Sequence, residues 1–129
     1  MLEVMSHIVK GGNKMILWVD DVRPAPDDID YIWCRSVEKT IGFIKWCEVM
    51  YDMVLDDYNE DAANDYKIEF IDLDHDAGDY RSQGGDYIKI LDWLEETNRN
   101  YPIRIHSKNP VGVKNMRRII KRNGWTEIY

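Results

Sequence analysis

The chain has 129 residues, 44% of them hydrophobic, which fits one globular domain with its own core. Its formal net charge of −7 and pI of about 4.9 argue against an extended nucleic-acid-binding surface, because affinity there comes from a basic field, although a small basic patch is compatible with that balance. No apolar run approaches the roughly 20 residues of a membrane span, and the two cysteines lack metal-ligand spacing, so we expect a cytoplasmic protein with reduced thiols and no membrane partner.

Residues 1–14 are predicted to be an N-terminal appendage, because Met15 could be an alternative start, and a short edge strand is the alternative for them. The turn sequence of residues 11–13 precedes the first strong strand. A single domain is therefore expected to cover residues 15–129. Within it, residues 56–66 are polar and acidic, which predicts a solvated loop inserted between two regular elements.

Short apolar runs separated by turn residues predict the strands of this domain. Met15–Val19 shows no alternation of polar and apolar residues, which is typical of a strand buried on both faces of a parallel sheet. The run over residues 67–74 is also rich in β-branched and apolar residues, and it stops at a cluster of acids. In chain order, the predicted strands cover residues 15–19, 31–34, 67–74, 103–106 and 125–129.

Three segments between these strands have apolar residues at helical spacing. Ser36 is a suitable N-cap for the first, although residues 51–57 are also compatible with a strand. Asn109 can cap the last, with Pro110 at the first helical position, where its missing N–H does no harm. The predicted helices cover about residues 36–56, 86–97 and 109–124.

Strands that alternate with helices predict an α/β domain with a mainly parallel sheet of about five strands and right-handed crossovers. Because the carboxyl ends of parallel strands lie at one edge of the sheet, polar residues that follow different strands are expected to converge there. Three of the predicted strands, 15–19, 67–74 and 103–106, end in polar residues. In the same order, the residues at or just after their ends are Asp20 and Asp21, then Asp74, His75 and Asp76, then His106, Ser107 and Asn109.

The acids at this edge predict a metal or phosphate site. Carboxylates of Asp20, Asp21 and Asp74 held together would repel one another, and a hard divalent cation such as Mg²⁺ relieves that repulsion. The alternative for Asp20 and Asp21 alone is a turn and helix-cap pair.

The two histidines at the same edge are candidates for proton transfer near neutral pH, although a single histidine near a strand end is more often structural. The turn containing Ser107 and Asn109 leads into a helix N-terminus, whose free N–H groups attract phosphate. Arg23 could hold a phosphate bidentately, and an ion pair with a neighbouring acid is its alternative role.

The spacing of Asp72, Asp74 and Asp76 imitates a calcium-binding EF-hand loop, but Ala77 stands where that loop needs glycine and Gln83 where it needs glutamate. Asp72 also lies inside the third predicted strand. We therefore expect its side chain to face away from Asp74 and to have a structural role, with Asp76 left as an unassigned neighbour of the site.

Two acids after the first strand, an aspartate after the third and a serine after the fourth resemble the receiver domains of bacterial response regulators. The stretches LWVDDVRPAP, IDLDHDAG, GGDYIKILDWL and IHSKNPVGVKNM together resemble, over residues 15–129, the cyclic-phosphate-processing receiver-like family. This resemblance implies a three-layer flavodoxin-like fold and the processing of cyclic phosphates, such as the 2′,3′-cyclic ends of cleaved RNA. It also implies roles by position: Asp20 and Asp21 match metal-binding acids, Asp74 the phospho-acceptor, Ser107 the hydroxyl position, and His75 and His106 the histidines peculiar to this group.

One departure from ordinary receivers bears on function. They carry a lysine after the last strand, whereas here that strand is WTEIY at the end of the sequence, and Lys108 follows the preceding strand instead. The usual phosphorylation switch is therefore in doubt.

Two functions remain open from the sequence. The first is a metal-dependent phosphodiesterase for small or terminal cyclic phosphates, with His75, His106 and Asp74 as catalytic groups. In it, Asp20, Asp21 and Asp74 hold the metal, and the substrate phosphate contacts Arg23, Ser107 and Asn109. The second is a non-enzymatic receiver-like module that binds metal, phosphate or a partner and is phosphorylated on Asp74. Neither the metal, the cyclic phosphate nor the oligomeric state follows from the sequence.

Overall fold

The computed structural model describes residues 15–26, 31–57 and 59–129. The predicted appendage, residues 1–14, lies outside the described residues. Within them, no helix is long and apolar enough to cross a membrane.

The core of the structure is a five-stranded, fully parallel sheet with the order β2-β1-β3-β4-β5. This order is that of flavodoxin-like sheets, in which ligands bind where the order reverses, here between β1 and β3. The predicted α/β class is therefore confirmed. The strands are β1 (Met15–Val19), β2 (Tyr31–Cys34), β3 (Ile68–Leu73), β4 (Ile103–Ile105) and β5 (Glu127–Ile128).

The three longer helices fall where the apolar periodicity predicts them. Ser36 caps the first, since its Oγ accepts a hydrogen bond from Lys39 N–H at 3.1 Å. The last begins at Pro110 after the Asn109 cap and ends at Gly124, whose φ of 67° is the left-handed conformation that glycine adopts without strain. The helices are α1 (Val37–Asp57), α2 (Glu60–Ala63), α3 (Ile88–Glu96) and α4 (Pro110–Asn123).

All five residues of β1 are buried, as its unbroken apolar sequence predicts. The alternate β1 residues Met15, Leu17 and Val19 belong to one core with the inner faces of the helices. The helices α1, α3 and α4 contribute residues such as Ile44, Leu91 and Met116 to it. Both cysteines are buried and free in this core, and burial raises the pKa of each thiol to about 12. The core thus fixes the strands whose ends carry the polar cluster.

The structure settles one ambiguous segment and differs from the sequence prediction in another. Residues 51–57, compatible with either a helix or a strand, continue α1. The polar segment 56–66 is not a plain loop but contains α2 and a 3₁₀ helix, Asn64–Tyr66. Asn59 explains the difference, since its side chain accepts a hydrogen bond from Ala62 N–H at 2.8 Å and so caps a short helix with an acidic first turn.

Candidate active site at the strand ends

Asp20, the first residue after β1, is buried and builds the turn that follows it. Its Oδ1 accepts hydrogen bonds from the N–H groups of Val22 at 3.0 Å and Arg23 at 2.7 Å. Its backbone carbonyl accepts one from Trp33 Nε1 at 2.7 Å, which ties the turn to β2. One carboxylate oxygen thus satisfies the turn, and Oδ2 remains for the site.

His106, the first residue after β4, is held between two buried carboxylates. Its Nδ1 lies 2.6 Å from Asp72 Oδ1, and its Nε2 lies 2.9 Å from Asp20 Oδ2. The imidazole stacks on the indole of Trp18, with ring centroids 3.8 Å apart and planes 3° from parallel. The ring therefore has little rotational freedom, and both of its nitrogens face a negative partner.

The prediction that the side chain of Asp72 faces away from the site is wrong. Residues two apart on a strand point to the same face, so Asp72 shares a face with Asp74 rather than opposing it. It contacts the imidazole of His106 and lies within 4.0 Å of Arg104, its register partner on β4. Asp72 is therefore part of the site.

Asp20, Asp74 and His106 each offer one ligand atom, and these atoms all lie within 4.8 Å of one another. This chemistry fits a divalent cation, because two carboxylate oxygens and an imidazole nitrogen are a common ligand set. The contact from His106 Nδ1 to Asp72 has the form of the carboxylate–histidine pair that orients a metal-binding imidazole. The sequence predicts Asp20, Asp21 and Asp74 as the metal ligands. Among the described residues, the group that lies this close together contains His106 in place of Asp21.

Asp21 nevertheless lies beside this cluster. Burial, together with the charges of Asp20 and Asp74, raises the pKa of its carboxyl group. The carboxylate packs against Gly78, whose φ of 53° and missing Cβ make room for it.

His75 follows Asp74 in the chain and packs against the start of α4. Its Nδ1 is 2.8 Å from Asp76 Oδ1, and its backbone N–H donates to Asp74 Oδ1 at 2.7 Å. Asn109 Nδ2 lies 3.4 Å from both His75 Nδ1 and Asp76 Oδ1. A Cβ at Gly112 would overlap the imidazole, so this glycine is what lets the ring sit against the helix. The two motif stretches LDHD and HSKNPVG are therefore one interlocked unit.

The three residues predicted to contact phosphate lie in two places, at the N-terminus of α4 and in the turn after β1. Ser107 and Asn109 do lie at the N-terminus of α4, where Ser107 Oγ accepts from Asn109 N–H at 3.1 Å and Asn109 Oδ1 accepts from Gly112 N–H at 3.0 Å. Arg23 is exposed in the turn after β1, where its carbonyl accepts a hydrogen bond from Trp18 Nε1 at 2.7 Å. The backbone of Arg23 is thus structural, while its guanidinium points out of the core.

Sequence reasoning did not single out Trp18, Trp33 or Gly112. Both tryptophans lie in predicted strands, where aromatic residues are common, so the sequence carries no signal for their indole N–H contacts or for the stacking of Trp18 on His106. A signal for Gly112 was present, because glycine in the first turn of a helix is unfavourable unless something packs closely against it.

The comparisons with known proteins add one finding. A family model described as "Cyclic-phosphate processing Receiver domain" matches residues 15–122. No curated protein and no solved structure matches the chain. The matched range begins at β1 and includes the whole strand-end cluster, also called the strand-end site below. Its members are Asp20, Asp21, Asp72, Asp74, His75, Asp76 and His106.

Proposed function

Because the chain belongs to the family of cyclic-phosphate processing receiver domains, we propose that it is a metal-dependent phosphodiesterase that opens a 2′,3′-cyclic phosphate by hydrolysis. The single observation that carries the proposal is that each of the two histidines near Asp74 contacts an aspartate. One contact is His106 with Asp72 at 2.6 Å and the other is His75 with Asp76 at 2.8 Å. A site that only bound phosphate would need neither pair.

The two histidines have different surroundings, which supports different roles for them. Both nitrogens of His106 already face carboxylates, so this residue is proposed to hold the cation together with Asp20 and Asp74. A divalent cation held there would withdraw charge from the phosphoryl oxygens. This division differs from the two-histidine proton relay expected from the sequence.

His75 is proposed to transfer the proton. When its Nδ1–H donates to Asp76, the lone pair of the neutral ring is on Nε2. Nε2 takes a proton from the attacking water as the new P–O bond forms, and returns it to the ribose oxygen as the cyclic P–O bond breaks. The product is a ribose phosphate monoester, and the histidine ends as it began. General acid–base help of this kind is worth roughly 10²–10⁴-fold in rate.

The test measures turnover of 2′,3′-cyclic AMP by ion-exchange chromatography with Mg²⁺, Mn²⁺ or Ca²⁺ present. We expect ring opening by the native chain and a loss of about 10²–10⁴-fold in kcat for His75→Asn. His106→Asn should instead abolish the dependence of activity and melting temperature on the metal. Asp61→Asn is the matched control, because Asp61 is exposed on α2, outside the strand-end cluster, and should leave turnover unchanged.

Two results would contradict the proposal. One is full activity in His75→Asn. The other is no ring opening with any of these ions, together with a phosphate adduct on Asp74 after treatment with acetyl phosphate and Mg²⁺. An adduct lost in Asp74→Asn would identify a receiver-like signalling module instead.

A further inference from the structure

A basic groove lies along α4. It has a volume of about 480 Å³. Ser107, which immediately follows His106 and is one of the residues predicted to contact phosphate, lines this groove. Its charged lining residues are Lys108, Lys114, Arg117, Arg118 and Lys121. We call it the α4 groove.

The charge of this segment is opposite to that of the whole chain. Residues 108–123 contain six lysines and arginines and no acid, whereas the chain carries a net charge of −7. Arg117 is paired with Glu127 at 2.8 Å, and Arg122, which does not line the groove, with Glu95 at 2.8 Å. The net acidity therefore conceals a local basic surface.

The remaining cations of the groove are free to bind an external anion. Across residues 15–26, 31–57 and 59–129, no ion pair neutralises Lys108, Lys114, Arg118 or Lys121. Isolated surface lysines are normally just solvated, but these four cations share one concave surface, which Ser107, a predicted phosphate ligand, also lines. Such a concentration of unpaired positive charge favours a polyanion.

The spacing of the charges favours a ligand with repeated charges. Lys114, Arg118 and Lys121 recur at i, i+4 and i+7, so they lie on one face of α4. They extend over about 10 Å along the helix axis at 1.5 Å per residue. A mononucleotide bound by its phosphate in the site has no further phosphate to place along this row, whereas a strand continuing from the site does.

We propose that the α4 groove binds the sugar–phosphate backbone of a single-stranded RNA whose 2′,3′-cyclic phosphate end occupies the strand-end site. The nature of that end rests on the proposed function, since only a ribose can carry this ring. About three backbone phosphates meet Lys114, Arg118 and Lys121. The acidic remainder of the surface limits the contact to this short stretch, because longer strands would be repelled.

The first test measures binding by fluorescence anisotropy of a dye-labelled ten-nucleotide RNA with a 3′-phosphate end. Three phosphate contacts predict a slope of about −2 in log K against log salt, or about 20-fold weaker binding at 200 mM than at 50 mM. The triple variant Lys114→Ala, Arg118→Ala, Lys121→Ala should reduce affinity at low salt at least 10-fold and flatten the slope. Alanine is a good helix former, so α4 should persist in it.

A second triple variant controls for net charge. Lys45→Ala, Lys89→Ala, Arg122→Ala removes the same charge from residues outside the groove and should leave RNA affinity within twofold of the native chain. An equal loss of RNA affinity in both triple variants would overturn the proposal that RNA binds in the groove, because the loss would then follow from net charge alone. Equally tight binding of poly-glutamate would overturn RNA as the ligand and identify an acidic protein partner.

Turnover separates the groove from the activity itself. The groove variant should lower kcat/KM for RNA with a 2′,3′-cyclic end at least 10-fold and leave kcat/KM for 2′,3′-cyclic AMP unchanged. If RNA binds in the groove but neither substrate is opened, the proposed activity fails and the groove stands. If both substrates are opened at native rates by the groove variant, the activity stands and the groove is overturned.

Discussion

Replacing Gly112 by alanine tests how tightly the two motif stretches interlock. Gly112 lies in the first turn of α4 with ordinary helical backbone, so alanine is compatible with the chain conformation itself. An added Cβ would, however, come closer than 3.0 Å to Cγ, Cδ2 and Nδ1 of His75. The ring is held by Asp76 and Asn109, so it cannot move without losing those contacts.

The size of the effect follows from two opposing terms. Alanine for glycine inside a helix stabilises by about 0.5–1 kcal/mol. Overpacking against a fixed side chain costs about 1–3 kcal/mol. We therefore expect Gly112→Ala to destabilise the chain by about 1 kcal/mol. Gly42→Ala is the matched control in α1, where nothing lies within 4 Å of the added Cβ, and it should stabilise by about 0.5–1 kcal/mol.

Urea unfolding followed by tryptophan fluorescence measures both free energies. In a His75→Ala background the clash is gone, so Gly112→Ala should then stabilise as Gly42→Ala does, giving a coupling energy of about 2 kcal/mol. A displaced imidazole should also lower kcat for the cyclic nucleotide by about 10²-fold. If Gly112→Ala stabilises the native chain as much as Gly42→Ala, the contact between His75 and α4 is wrong.

Three further predictions concern the metal, a surface ion pair and a buried phenol. Mg²⁺ at 100 times its Kd should stabilise the native chain by about 2.7 kcal/mol, measured as a higher melting temperature. Asp20→Asn should abolish this increase. A melting temperature of the native chain that does not change with Mg²⁺ would exclude this metal site. Burial would raise the pKa of Glu48, but its hydrogen bonds from Arg99 and Tyr101 lower it below 4.5 overall. The stability that the Glu48 carboxylate provides is thus present above pH 4.5 and is lost as the pH falls through the lower pKa of the folded state. Glu48→Gln should lower the free energy of unfolding by about 1 kcal/mol at pH 7. In urea unfolding at different pH values, this variant should lose less stability on acidification than the native chain. Tyr87→Phe leaves the carbonyl that accepts the Tyr87 hydroxyl hydrogen bond at 2.7 Å without its partner, and should cost about 1–3 kcal/mol by urea unfolding while kcat changes less than twofold.

The sheet and the convergence of the strand ends could be predicted because β1, inside the sheet, is buried on both faces. An unbroken apolar run such as Met15–Val19 fits few other environments, and its last residue fixes where the polar cluster must begin. Local capping signals at Ser36 and Asn109 fixed the helix starts in the same way. These features depend on residues close in sequence.

The pairing inside the site depends on contacts between distant residues. Asp72 and His106 meet because β3 and β4 pair with Asp72 opposite Arg104, a register that neither strand's sequence specifies. Strand periodicity places Asp72 on the same face as Asp74, so this part of the site does follow from the sequence. The α4 groove was hidden for a different reason, since net charge averages over surfaces that the fold keeps apart.

The most direct measurement of the proposed hydrolysis uses water enriched in ¹⁸O. Native chain, 2′,3′-cyclic AMP and Mg²⁺ are incubated, and the product is analysed by mass spectrometry and ³¹P NMR. We predict many turnovers per chain, with one solvent oxygen in each newly formed monoester. No ring opening with protein and substrate at equal concentration, under metal conditions that raise the melting temperature, would contradict a hydrolytic role for this site.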